Sequence, residues 1–349
     1  MAEPARIAVV GTGWWATDNH IPGLLANPAA VLVAICDADE AKLDTAATAF
    51  GVERCYTNVD EMLRTEQLDA VIVATNHASH YAVAKPCLDA GLHVLIEKPM
   101  TLYAAEARDL LAIAARRGRQ ISIGYNHNYT AWTRCARERI LAGDLGAVQY
   151  ITGVFNQHIW SMYQGKTTGV GKVNSPGDVY SDPLRSGGGH GHLQMTHLLG
   201  MIFFATGLRA RTVQAKMHNL GLAVDVVNAL LIEFDNGALA ALGGTGNIPN
   251  GHKIDLQIYC ADGWVDIDES KGIAAIGGSA IQREDFAPED GVHGYRRHAT
   301  TNNLVDIVLG RAVNGSPGEI GLRVVEVLDA AYRSAANCGN AVQIEDLYR

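Results

Sequence analysis

The sequence predicts an α/β chain in two parts. Residues 1–125 read as a doubly wound parallel-sheet domain, and residues 126–349 as an α+β domain with a large, open, mostly antiparallel sheet. Three observations carry this prediction. Short β-branched runs alternate with helix-forming stretches as far as residue 125. A glycine-rich turn joins the first run to the first helix, and beyond residue 125 hairpin signals replace the alternation. A chain of 349 residues has room for two domains of about 150 residues each.

Residues 6–10 (Arg-Ile-Ala-Val-Val) are short and nearly all apolar, the pattern of a strand buried on both faces. A helical stretch follows Gly11 and reaches Pro28. Residues 31–36 repeat the strand pattern and end at Asp37. Residues 39–50 have helical spacing and stop at Gly51, a residue suited to a left-handed helix end. Residues 70–74 are a third strand, 80–90 a helix stopped by Gly91, and 93–96 a fourth strand running into Glu97-Lys98-Pro99. An amphipathic Ala/Leu helix over 101–117 and a strand over 120–124 complete the series. Strand–helix alternation with short connections specifies a parallel sheet with helices on both faces.

In the second half one helix is expected over 131–142. Antiparallel signals follow at 148–157, 211–218 and 226–234, and Asp235-Asn236-Gly237 is a hairpin turn answered by 238–243. Residues 254–260 and 264–267 form another pair around Ala261-Asp262-Gly263, and a helix over 321–337 is closed by Gly339. An open sheet must have its outer face covered, and an oligomer interface is the expected cover.

Composition excludes several classes. Lys plus Arg number 28 against 37 Asp plus Glu, a net charge of −9, which opposes sequence-independent attraction to nucleic-acid phosphates. The basic clusters Arg116-Arg117-Gly118-Arg119 and Arg296-Arg297-His298 are short and read as solvated surface. Six cysteines, Cys36, Cys55, Cys87, Cys135, Cys260 and Cys338, form no C-x-x-C pair and read as free thiols in a reducing compartment. No leader and no run of about 18 apolar residues is evident, so a cytoplasmic location without membrane contact is expected.

Gly11-Thr12-Gly13-Trp14-Trp15-Ala16 lies between a strand and a helix start. Gly11 suits the tight turn, Gly13 lets backbone approach a pyrophosphate, and Ala16 permits close helix–strand packing. The helix N-terminus offers free N–H groups to the phosphates. Asp37, 24 residues after Gly13, ends the second strand, where an acidic side chain bonds the adenosine ribose. Together these predict a dinucleotide site in a Rossmann domain. A carboxylate there repels a 2′-phosphate, so NAD is expected over NADP. Trp14 and Trp15 either pack on the second domain or form an aromatic wall beside the cofactor. Thr75-Asn76-His77-Ala78-Ser79-His80 ends the third strand; its polar groups either face the cofactor or cap the following helix. A lysine after the fourth strand, Lys98, would lie beside the nicotinamide.

The pattern resembles the Gfo/Idh/MocA family of NAD(P)-dependent sugar and cyclitol oxidoreductases, over nearly the whole chain. The resemblance rests on the glycine turn, Asp37, Thr75-Asn76 with His80, and Gly91-x-His93-Val94-Leu95-Ile96-Glu97-Lys98-Pro99. It continues through Gly124-Tyr125-Asn126-His127-Asn128-Tyr129, Gly143-Asp144-Leu145-Gly146, Ser186-Gly187-Gly188-Gly189 through His197, and Tyr332-Arg333-Ser334. It implies hydride transfer between a carbohydrate carbon and the nicotinamide, with Lys98 and His197 as active-site residues, and a homodimer or homotetramer built on the open sheet of the second domain. Two positions depart: Leu193 stands where the family often has Asp, and His127-Asn128 where it often has Arg. The expected cofactor contacts are Gly11, Thr12, Gly13, Trp14, Trp15, Asp37, Thr75, Asn76, His80, Glu97, Lys98 and Asn126.

Gly187-Gly188-Gly189 is expected to open a helix on which His190, Gln194 and His197 share a face while His192 points elsewhere. His197 then serves as acid/base and Lys98 polarises the reacting oxygen. His190 and Gln194 would bind neighbouring hydroxyls, with His127. The long segment 156–186, carrying Trp160, Tyr163, Tyr180, Asp182 and Arg185, reads either as a lid over a polyol or as an oligomer arm, with Trp160 and Arg185 as substrate contacts. No metal site is expected, because a helix does not converge His190, His192 and His197 on one point. Two alternatives stand beside a dehydrogenase. Gln194-Met195-Thr196-His197 with Leu199-Gly200 resembles glycosidases that retain NAD and pass through a 3-keto sugar, and a non-catalytic NAD-binding regulator would keep the fold alone.

Overall fold

The computed structural model describes residues 3–167, 169–279, 281–287 and 297–349. Arg296, part of the second basic cluster, lies outside them; Arg297 is exposed.

The first sheet is built from β1 (Ala5–Val10), β2 (Ala30–Cys36), β3 (Cys55–Tyr56), β4 (Ala70–Val73), β5 (His93–Ile96) and β6 (Ile121–Ile123). All pairings are parallel, in the order β3-β2-β1-β4-β5-β6. Ile7, Val9, Ile72 and Leu95 are fully buried, as the uniformly apolar runs require. The order reverses between β1 and β4, which opens a crevice at their carboxyl ends. Sequence periodicity passes over β3 and the helix Val59–Thr65, because a two-residue strand has no period to read. The first helix also differs from expectation. It begins as a π-helical turn, Ala16–His20, before the α-helical Ile21–Ala26.

Among the described residues the second sheet has nine strands: β7 (Val148–His158), β8 (Ala210–His218), β9 (Val227–Phe234), β10 (Leu239–Thr245), β11 (Asn247–Cys260), β12 (Gly263–Asp268), β13 (Ile273–Gly278), β14 (Glu284–Phe286) and β15 (Val342–Gln343). Their order is β14-β13-β12-β11-β7-β10-β9-β8-β15, antiparallel except where β10 lies parallel to β7. The β9–β10 hairpin turns at Gly237, whose φ of 84° suits glycine. Ile151, Leu230, Ile232, Leu256 and Ile258 point inward and are buried. Tyr150, Leu231, Leu239 and Tyr259 are exposed, and the rings of Tyr150 and Tyr259 stack across β7 and β11 at 6.2 Å.

Helices Ala131–Ala142, Thr196–Thr206 and Gly318–Ala336 contribute Trp132, Leu198, Phe203, Val324 and Leu328 to the core shared with the inward residues of the second sheet. Helix Ala299–Val308, which sequence order groups with the second part, packs on the first sheet: Leu304 and Val305 share a core with Ile7, Val9 and Ile72. The expected long loop 156–186 is broken by short helical turns at Trp160–Tyr163, Val179–Ser181 and Pro183–Ser186. No helix of the described residues is long and apolar enough to cross a membrane.

Candidate active site

A cleft of about 660 Å³ runs from the carboxyl ends of β1 and β2 to the helix that carries His197. Gly11 and Gly13 line one end. Gly11 has φ 93°, and a Cβ there would lie 2.5 Å from the Ala74 carbonyl oxygen, so no larger residue fits. At Gly13 a Cβ would meet nothing within 4 Å; its backbone is open to an incoming pyrophosphate. Asp37 lines the same end. Its Oδ2 accepts from Thr12 N (2.7 Å) and Thr12 Oγ1 (3.0 Å), and its Oδ1 from Asp39 N (3.0 Å). These residues fit a dinucleotide: open backbone for phosphates and an oriented carboxylate for ribose hydroxyls. Thr12 itself is buried behind Asp37 rather than in the cleft, so its side chain orients the carboxylate.

Both readings of the tryptophans have a basis. Trp14 and Trp15 line the cleft, edge to face at 5.3 Å. Trp14 Nε1 also donates to Tyr180 of the second domain (3.2 Å), and Trp15 Nε1 to Glu97 (2.9 Å). Thr75, Asn76 and Asn126 line the cleft. Ser79 places no side-chain cap on helix His80–Asp89; its hydroxyl bonds Thr75 Oγ1 and the Asn76 carbonyl. His80 is buried with Nδ1 2.7 Å from the Pro99 carbonyl and Nε2 3.3 Å from that of Thr75, tying two strand ends together. The Lys98–Pro99 peptide between them is cis.

Glu97 is a buried hub. Its Oε1 accepts from Trp15 and lies 2.9 Å from His20 Nε2, and its Oε2 accepts from Lys98 N (3.1 Å). Burial alone would raise its pKa, but His20 and Lys98 outweigh burial and hold the carboxyl below its ordinary value. Gly124 is required beside it: a Cβ there would come within 2.4 Å of Oε1. Lys98 reaches across the cleft, and its Nζ donates to the Leu193 carbonyl (3.3 Å), four residues before His197. Burial lowers the Lys98 pKa, partly offset by Glu97. His197 lines the cleft with its ring parallel to Phe155 (6.0 Å) and edge-on to His127 (5.1 Å). Burial, then Lys98 and His127, hold its pKa well below the ordinary value, so it is a neutral base at neutral pH.

Residues 5–125 match the oxidoreductase family with an NAD-binding Rossmann fold, and residues 133–266 match the Gfo/Idh/MocA C-terminal domain. The chain belongs to the Gfo/Idh/MocA family. Curated relatives include D-apiose dehydrogenase of Paraburkholderia graminis, 32% identical over 40% of this chain and 37% of that protein. D-glucoside 3-dehydrogenase of Escherichia coli is 28% identical over 43% of each chain, and inositol 2-dehydrogenase of Leifsonia xyli 34% identical over 43% of this chain and 44% of its own. The match thus spans less than half the length of these relatives. The crystal structure of GenD2 from gentamicin A biosynthesis, in complex with NAD, superposes with a TM-score of 0.77 at 28% identity, covering 98% of this chain and 97% of that one. The aldose-aldose oxidoreductase of Caulobacter crescentus, at 21% identity and TM-score 0.78 over 98% of this chain and 100% of the other, bears on the fold alone.

Within this Gfo/Idh/MocA fold some expected positions move. The helix does not open at the glycines. Gly187 (φ 75°) ends the preceding turn, and a π-turn over Gly191–Met195 precedes helix Thr196–Thr206. Its i→i+5 bonds widen the turn and undo the expected common face. His190 is fully buried away from the cleft, with Nδ1 2.5 Å from Asn228 Oδ1 and Nε2 2.8 Å from the Phe155 carbonyl. Both nitrogens are committed to the sheet, so His190 leaves the set of cleft residues. Trp160 also leaves it, half-buried in a cluster with Ile159, Met162 and Tyr163. Arg185 lines the cleft but pairs with Asp178 at 2.6 Å. Gln194 remains, accepting from Tyr163 OH (2.9 Å) and donating to Gln157 (3.2 Å). His192 stacks on Tyr332 at 4.6 Å, and among the described residues no His, Cys, Asp and Glu group is arranged for a metal.

Periodicity and motif matching passed over Gln157, His252 and Glu269, all lining the cleft from the second sheet. Glu269 is buried at the start of a short turn after β12, with Oε1 3.2 Å from His127 Nδ1. One acidic residue of the three in Asp266-Ile267-Asp268-Glu269 carries no sequence signal of burial.

Proposed function

We propose that this chain is an NAD-dependent dehydrogenase or reductase acting on a CH–OH carbon of a sugar, glycoside or cyclitol, with His197 as acid/base and Lys98 polarising the reacting oxygen. The observation that carries the reading is the meeting of Lys98, from the end of β5, with His197, from the second domain, in the cleft whose other end holds Gly11, Gly13 and Asp37. NAD, when bound, supplies the hydride acceptor. His197, neutral at physiological pH, takes the hydroxyl proton. Lys98, fixed on the Leu193 carbonyl, has two further N–H donors for the same oxygen and favours alkoxide-like charge. Gln194 and Gln157 offer amides to neighbouring hydroxyls, and Phe155, Ile159 and Met162 offer apolar walls to a ring. The names of the curated relatives support a carbohydrate or polyol substrate, and Asp37 supports NAD over NADP.

Free cysteines throughout support a reducing compartment, the cytoplasm. The exposed Tyr150, Leu231, Leu239 and Tyr259 support assembly through the open sheet as a homodimer or homotetramer. A second reading, a glycosidase that keeps its NAD, is favoured by one observation. Asn174 is buried over the dinucleotide end and donates to the Thr12 carbonyl (2.7 Å) and the Lys42 carbonyl (2.9 Å), clasping the segment around it to the first domain. A panel of polyols and glycosides with NAD, followed by NADH absorbance, separates the readings: NADH accumulates with a dehydrogenase, and glycoside cleaves without net NADH in the glycosidase. His197→Ala is expected to lower turnover roughly 100-fold or more with NAD affinity kept. A near-native rate would refute the role of His197.

A further inference from the structure

We propose that Glu269 is a positioning residue that sets the proton affinity of His197, acting through His127. The inference rests on the dehydrogenase reading above and adds a residue to it. Three observations support it. Glu269 is 2% exposed and lines the cleft. Its Oε1 stands 3.2 Å from His127 Nδ1, while Oε2 is buried with no hydrogen-bond partner among the described residues. The His127 ring in turn meets the His197 ring edge to face at 5.1 Å. A carboxyl, an imidazole and the base therefore form one contiguous row. Leu193, one turn before His197, brings no carboxylate to this row; Glu269 brings one from the opposite wall.

The charge of such a carboxyl matters because its surroundings leave it unscreened. Burial pushes Glu269 up to about 8. Among the described residues, the titratable groups of the elements around it are His127 and Tyr129, on the turn Asn126–Tyr129; His252, Lys253, Asp255, Tyr259 and Cys260 on β11; Asp266 and Asp268 on β12; and Lys271 on its own turn. Lys253 pairs with Asp255 and Lys271 with Asp268, and Lys98 and His197 face it across the cleft. Below pH 8 the neutral carboxyl adds nothing to the partial offset that Glu97 gives Lys98, and His197 resists a proton. Above it the new negative charge beside His127 offsets Lys98 and favours the imidazolium that alcohol oxidation creates.

The test uses the NAD-loaded protein labelled with ¹³C in glutamate and histidine side chains, followed by NMR from pH 5 to 10. One glutamate carboxyl is expected to titrate near pH 8 and to vanish in Glu269→Gln, and the His197 resonances are expected to inflect at the same pH in the native protein but not in the variant. Where a polyol substrate is in hand, oxidation is expected to rise through pH 8, with Glu269→Gln about tenfold slower at pH 9 and close to native at pH 6, one pKa unit on His197 being a factor of ten. Glu269→Asp is expected to restore the rise. A His197 titration indifferent to Glu269→Gln, or a variant that keeps the rise, overturns the proposal. The NMR arm needs no substrate, so failure of every polyol to yield NADH would overturn the dehydrogenase reading alone.

Discussion

Asp225 offers the sharpest test of how the second domain presents its helix to the cleft. This buried carboxylate precedes β9, and four donors converge on it. Oδ1 accepts from Gly189 N (2.7 Å) and Tyr332 OH (2.7 Å), and Oδ2 from Gly191 N (2.9 Å) and Asn228 Nδ2 (2.8 Å). Burial alone would raise its pKa, but the four donors hold it below the ordinary carboxylate value. In Asp225→Asn the new NH₂ is best placed at the Oδ1 position, where Tyr332 OH can rotate and accept. One donor, Gly189 N–H, is then orphaned and the charge assistance is lost, a cost of about 3 kcal/mol. Placing the NH₂ at Oδ2 also orphans one donor, Gly191 N–H, and requires the Asn228 amide to flip in addition. Asp225→Ala orphans all four donors and is expected to cost about 4–6 kcal/mol after partial relaxation. Urea unfolding followed by circular dichroism reads both variants. An alanine variant within about 1 kcal/mol of the native protein, or equal costs for Asn and Ala, would refute the reasoning. The sign with pH follows from the depressed value. The contribution is fully present above about pH 4, where an unfolded Asp is ionised, and is lost as pH falls through the lower folded pKa. The stability gap to Asp225→Asn should therefore close in acid.

Asp37→Ala removes the carboxylate that the Thr12 N–H and hydroxyl orient. NAD affinity is expected to fall roughly 10–100-fold and the preference over NADP to narrow by a similar factor, read by titration calorimetry with each dinucleotide; an unchanged ratio would show that Asp37 does not select. Asn174→Ala removes two bonds from the second domain to the dinucleotide-binding end. NADH release in stopped-flow fluorescence is expected to accelerate about tenfold, and an unaltered rate would mean that this clasp does not hold the cofactor.

The first sheet was readable from sequence because buried parallel strands are written as uninterrupted apolar runs. Residues 6–10, 31–36, 70–74, 93–96 and 120–124 each fall within two residues of an observed strand. Antiparallel pairing around Gly237 was readable for a different reason, the turn chemistry of Asp235-Asn236-Gly237. The extension of β11 back to Asn247 was not: its first residues, Asn-Ile-Pro-Asn-Gly-His-Lys, carry turn formers and no alternation, and their pairing with β7 is imposed by the neighbouring strand. Nor does sequence order reveal that Ala299–Val308 returns to cover the first sheet, since an amphipathic helix states that it has an apolar face but not which sheet receives it.

The cleft shows the same division. Residues whose identity is dictated by backbone geometry, such as Gly11 with its positive φ and Gly124 against Glu97, stand in motifs that can be recognised one segment at a time. Residues whose position depends on two segments meeting cannot. His190 has the spacing of a cleft residue on an α-helix, but the π-turn and the space beside Gly244, where a Cβ would approach the His190 ring to 2.9 Å, draw it into the sheet. Glu269 has the sequence context of a surface turn, next to Asp268 and Lys271, which do bond each other at the surface. What separates Glu269 from these neighbours is the packing of the Asn126–Tyr129 turn above it, a contact between residues 142 positions apart. Buried polar groups in this fold are thus set by tertiary placement, and a site assembled from both domains is legible in sequence only for the half that contacts the dinucleotide through its own backbone.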